Sequence, residues 1–67
     1  MTTFYFVTWE IITANGILRR FTRSYRDENS ARIAYRLKDG PGVTHMCLYR
    51  TDHAQQSNSV ILLEKRR

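Results

Sequence analysis

The chain has 67 residues and a formal charge of +5, from eleven Lys and Arg against six Asp and Glu. That length supports one domain, residues 1–67, and a domain of about 60 residues buries only about 60% of its unfolded surface, which argues against a deep catalytic cleft. A 42% hydrophobic fraction with Trp9, four tyrosines and three phenylalanines argues against disorder, and a lone cysteine, Cys47, excludes an internal disulfide.

The opening stretch, MTTFYFVTWE, lacks the basic n-region and small-residue cleavage site of a signal peptide. No apolar run approaches the ~18 residues of a membrane helix. The expectation is a cytoplasmic protein without a membrane partner. Nine of the eleven basic residues are arginines. A planar guanidinium suits phosphates and carboxylates better than the point charge of lysine.

Residues 3–13, TFYFVTWEIIT, are rich in β-branched and aromatic side chains and read as a strand. Ala14-Asn15-Gly16 follows, then ILRRFTRSY as a second strand. Asn-Gly between two such runs is a strong hairpin signal. Two registers are open. A two-residue loop sets Ala14 opposite Ile17 and places Arg19 and Arg23 beside Phe4, Phe6, Phe21 and Tyr25, a basic aromatic platform. A three-residue loop with Gly16 left-handed sets Thr13 opposite Ile17, Glu10 opposite Arg20, Thr8 opposite Thr22 and Trp9 opposite Phe21. Those three cross-strand pairs favour the longer loop.

RDENSARIAYRLKDG predicts a helix with Asp27 as N-cap and Glu28 in the first turn. Ser30, Ile33, Ala34 and Leu37 fall on one arc at helical spacing, with Ala31 and Tyr35 on its shoulder. Glu28, ahead of Arg32 by four residues, has the favoured ion-pair orientation. Gly40 reads as a left-handed stop, and Pro41 forbids continuation. VTHMCLYR predicts a third strand, TDHAQQSN a polar loop, and SVILLEKRR a fourth strand with a basic tail.

The fold class is therefore α+β, a ββαββ chain. A right-handed crossover from the second to the third strand leaves room for the first between them. The expected sheet is four-stranded and antiparallel, order 2-1-3-4, with the helix on one face and the other face open. The arginine-rich second strand then lies on an edge, where charge also discourages aggregation.

Chemistry-bearing patterns are sparse. His45 and Cys47 share a strand face and His53 is close in sequence, which falls short of a zinc pattern. Cys47, Ser57 or Ser59 with a histidine lacks an orienting third group. The glycines of DGPGV follow a helix, whereas a phosphate loop precedes one. The expectation is a protein that is not an enzyme and carries no cofactor and no metal. Binding remains. Arg19, Arg20, Arg23 and Arg26 interleave with Phe21 and Tyr25, as basic grooves and stacking platforms do in single-strand binders. Phe4 and Phe6 on an open face, rimmed by arginine, equally suit a protein interface. The exposed edge and aromatic face also permit a homodimer.

A hairpin, a short helix beginning near DENSARIAYRL and a second hairpin in under seventy residues resemble the small proteins that phages use against hosts. These include anti-CRISPR proteins and the phage inhibitor of bacterial RNA polymerase. The resemblance lies in element order across nearly the whole chain, and no motif residue is carried over. It implies a compact non-catalytic inhibitor of the anti-defence type in the host cytoplasm, occupying a surface on a host protein or nucleoprotein complex. The alternative is direct, largely sequence-independent nucleic-acid binding by the same arginines.

Overall fold

The computed structural model describes residues 3–52 and 59–66. Its elements are β1 (Thr3–Ile12), β2 (Leu18–Tyr25), α1 (Glu28–Lys38), β3 (Val43–Asp52) and β4 (Val60–Arg66). The strands form one antiparallel sheet in the order β2-β1-β3-β4, as the crossover argument expects. Thr51 and Asp52, read from sequence as loop, extend β3. The rest of that expected loop, with His53 and Ser57, lies outside the described residues.

The β1–β2 hairpin takes the longer loop. The Thr13 amide donates to the Ile17 carbonyl, the Gly16 amide to the Thr13 carbonyl, and the Ile17 amide to Thr13 Oγ1. Gly16 has φ 79°, the left-handed residue that a three-residue hairpin loop requires. Pairing then runs unbroken from Ile12 opposite Leu18 to Tyr5 opposite Tyr25. Tyr5, Val7, Trp9 and Ile11 share one face with Arg19, Phe21, Arg23 and Tyr25. Phe4, Phe6, Thr8 and Glu10 share the other with Arg20, Thr22 and Ser24.

Helix α1 covers the first of these faces, mainly over β1, with β3 and β2 to either side. Val7, Met46 and Leu48 are fully buried beneath it, with Ala31, Tyr35 and Val43 completing the core. Asp27 caps the helix, its Oδ2 accepting from the Ser30 amide at 2.9 Å. Glu28 and Arg32 pair at 2.8 Å.

Two expectations are corrected here. The helix buries Ala31 and Tyr35, not the arc of Ser30, Ile33 and Leu37. Ile33 is 57% exposed and Leu37 77%. Alanines let the helix approach the sheet closely, and Lys38 lays its ammonium 5.0 Å from the Trp9 ring centroid, so the sheet-facing stripe runs through residues 31, 34, 35 and 38. Gly40 is not the left-handed residue either. The helix ends at an extended Asp39 (φ −72°, ψ 135°), and Gly42 has φ 87°. Pro41 then Gly42, closed by the Val43 amide on the Gly40 carbonyl, is the arrangement of a type II turn. That turn also joins the sheet, because the Ile12 amide donates to the Gly42 carbonyl at 3.0 Å.

Two outcomes follow for stability. A Cβ on Gly16 meets nothing within 4 Å, so Gly16→Val is penalised by backbone conformation alone. Urea unfolding is expected to show a loss of about 1–2 kcal/mol, with Gly16→Asn losing less. Met46→Ala is expected to lose about 2–5 kcal/mol, whereas Leu37→Gln stays within about 0.5 kcal/mol; a comparable loss at Leu37 contradicts the observed helix orientation.

Candidate binding surface

The hairpin register divides the eight residues singled out from sequence. Arg19, Phe21, Arg23 and Tyr25 lie on the helix face of β2, Arg26 follows in the connection to α1, and Arg20, Phe4 and Phe6 lie on the open face. The platform that the shorter loop requires, with Arg19 and Arg23 beside Phe4 and Phe6, does not form.

On the helix face the arginines alternate with rings. Phe21 stacks on Trp9 at 5.5 Å between centroids with 19° between planes. Such a pair adds about 0.5–1.5 kcal/mol beyond its burial. Phe21 still exposes 39% of its surface, while Tyr25 is half-buried against the core. Arg19, Arg23 and Arg26 are exposed and make no ion pair or side-chain hydrogen bond with any described residue.

Those arginines are unpaired because the acids are engaged elsewhere. Glu10 holds Arg20 at 3.2 Å, Glu28 holds Arg32, and Asp39 holds Lys65 at 2.6 Å. Asp52 accepts from Thr3 and lies 3.7 Å from Arg50 Nε, Glu64 lies 2.8 Å from His45 Nε2, and Asp27 caps the helix. All six Asp and Glu side chains are thus used inside the fold. Arg36, on the outward side of α1, is the other described arginine without a partner.

The open face has two halves. Phe4 and Phe6 sit 6.4 Å apart, and Phe6 stacks on Tyr49 at 5.3 Å. Sequence reasoning missed Tyr49, although the two-residue period through His45 and Cys47 leads to it. At the other end Glu10, Arg20, Thr44, His45 and Arg66 line a shallow depression of about 360 Å³. Hydrogen bonds from Thr44 and Arg20 hold the Glu10 carboxyl below the usual range. The hydrogen bond with His45, aided by Arg66, does the same for Glu64. Arg20, the arginine expected to contact a partner, is therefore already half-committed to Glu10.

Cys47 is buried on this same open face, outside the helix-side core, and burial followed by the Glu64 charge pushes its thiol up. An activated cysteine is shifted the opposite way. Among the described residues no group of three His, Cys, Asp or Glu side chains is placed to hold a metal ion. Ser59 shares a 2.7 Å hydrogen bond with Thr51. No helix among the described residues is long and apolar enough to cross a membrane.

Comparison with known proteins returns nothing: no family model, curated sequence or solved structure matches the chain.

The lowered carboxyls link stability to pH. Glu10 and Glu64 bind protons less readily folded than unfolded, so their contribution is present above about pH 4.5. It is lost as pH falls through their depressed folded values. Urea midpoints are expected to drop on acidification below about pH 4.5, and His45→Gln is expected to shrink the portion due to Glu64.

Proposed function

We infer that the protein is a small, non-catalytic binding module that grips an anionic surface with the β2 edge. In this reading it is a phage- or prophage-type accessory that works in the host cytoplasm. It docks on a host nucleic-acid-handling complex and inhibits or redirects it. The observation that carries the reading is charge placement. Every Asp and Glu side chain is engaged within the fold, while Arg19, Arg23 and Arg26, along β2 and just beyond it, have no ionic partner among the described residues. Arginines held apart from internal acids keep their bidentate donors for a partner's carboxylates or phosphates. Aromatic and arginine side chains are enriched at protein interfaces, and Phe21 between Arg19 and Arg23 supplies apolar area. The phage comparison rests on element order alone.

A second reading, direct nucleic-acid binding, is favoured by the alternation Arg19, Phe21, Arg23, Tyr25 on one face. Base stacking on aromatics beside a basic track is how sequence-tolerant single-strand binders work.

Capture from a nuclease-treated bacterial lysate separates the two. The first reading expects a protein partner that survives nuclease and is lost with the double variant Arg19→Ala, Arg23→Ala, whose circular dichroism matches the parent. Partners that vanish with nuclease support the second reading. Direct binding to single-stranded nucleic acid through three arginines is then expected to weaken with salt at a log-log slope of about −2.1. A flat salt response, or no shift of DNA or RNA at low salt, removes it.

A further inference from the structure

The two borders of the sheet are built differently. On β4 the pairing slips between Leu48 and Tyr49, and its exposed end mixes Glu64 with Lys65 and Arg66. Such irregularity is a usual guard against strand addition. On β2 the pairing with β1 is regular from Leu18 to Tyr25, with no proline, no bulge and no acid. Seven of its eight residues are exposed.

The direction of the unpaired backbone groups follows from the hairpin. Thr13 and Ile17 form a hydrogen-bonded pair. Antiparallel ladders alternate bonded and non-bonded pairs, so Arg19, Phe21, Arg23 and Tyr25 bond inward to β1. The amides and carbonyls of Leu18, Arg20, Thr22 and Ser24 then point outward. That is a ready strand template several residues long.

We propose that the outer edge of β2 takes an extended acidic segment of a protein partner as a fifth strand of the sheet. The inference rests on the binding-module reading and specifies its partner. On the helix side, the added strand's side chains meet Arg19, Phe21 and Arg23 in turn. The matching pattern is an acid, an apolar residue and an acid at alternate positions. On the open side they meet Leu18, Arg20, Thr22 and Ser24, where small polar residues fit. A second copy of β2 is the wrong occupant. An antiparallel copy centred on Phe21 sets Arg19 opposite Arg23 twice, and one centred on Thr22 leaves them diagonal neighbours. Like charges so placed oppose pairing. Backbone hydrogen bonds would supply much of the affinity and the alternating pockets the specificity.

The test uses the full chain, isotope-labelled, and a short synthetic peptide with glutamates two places either side of a central valine and threonines elsewhere. A peptide of the same composition with the two glutamates adjacent is the control. The patterned peptide is expected to bind at least about tenfold more tightly, and Thr22→Pro to weaken it by about tenfold. Proline at that position removes an outward amide and leaves the β1 ladder intact. Thr22→Ala, which keeps the amide, is expected to bind normally. Should Thr22→Pro not fold, amide exchange on the parent chain reads the same contact. Arg20, Thr22 and Ser24 amides are expected to gain protection with peptide, while those of Phe21 and Arg23 are protected throughout.

Equal binding of both peptides, or unchanged exchange at Arg20, Thr22 and Ser24, overturns strand addition. A single-stranded oligonucleotide that binds through Arg19 and Arg23 where the peptide does not also overturns it, yet leaves an anion-gripping edge. Loss of every anionic ligand removes both.

Discussion

Gly16 sits at φ 79° at the tip of the first hairpin, and the three-residue loop it closes decides which side of the sheet each β2 residue takes. A loop shorter by one residue sends Arg19 and Arg23 to the open face, among Phe4 and Phe6. With the observed loop they stand on the helix side, beside Phe21. Trp9 stacks on Phe21 and Glu10 reaches Arg20 only in this register. Backbone conformation at one glycine and cross-strand chemistry therefore select the same pairing.

Charge separation follows from that register. Glu10 is drawn to Arg20 and Thr44 on the open face, so it is not available to Arg19 or Arg23 behind the sheet. Asp27 and Glu28, close in sequence to Arg26, are taken up by the cap and by Arg32. A basic border persists because each nearby acid has local work elsewhere. The same residues explain why an exposed edge need not aggregate: guanidinium groups repel a second copy while remaining open to an anion.

Much of the fold was legible because its signals are local. Asn15-Gly16 marked the hairpin, period-two runs marked the strands, and Asp27 marked the helix start. The crossover rule then left a single sensible strand order. The helix face was misread because periodicity allows two overlapping stripes. One holds Ile33 and Leu37, the other Ala31, Ala34, Tyr35 and Lys38. Hydrophobicity alone prefers the first. Close approach of alanines to the sheet and the lysine over Trp9 select the second, and those are tertiary facts. Gly40 and Gly42 were confused because both lie within reach of the helix end, and only the Pro41–Gly42 turn decides which is left-handed. For the candidate surface, residue types were readable and grouping was not. Seven of the eight residues chosen by composition fall on two faces, with Arg26 in the connection to α1, and that division depends on the loop length at Gly16.

The central claim is that the unpaired border of β2 is the contact surface for an anion. Arginine Nε–Hε signals during titration with a short heparin fragment, a generic polyanion, address it directly. Arg19, Arg23 and Arg26 are expected to shift first and saturate together, with Arg20, Arg32 and Arg66 lagging because Glu10, Glu28 and Glu64 hold them. Uniform movement of all arginines, or first movement at Arg36 or Arg66, contradicts the account.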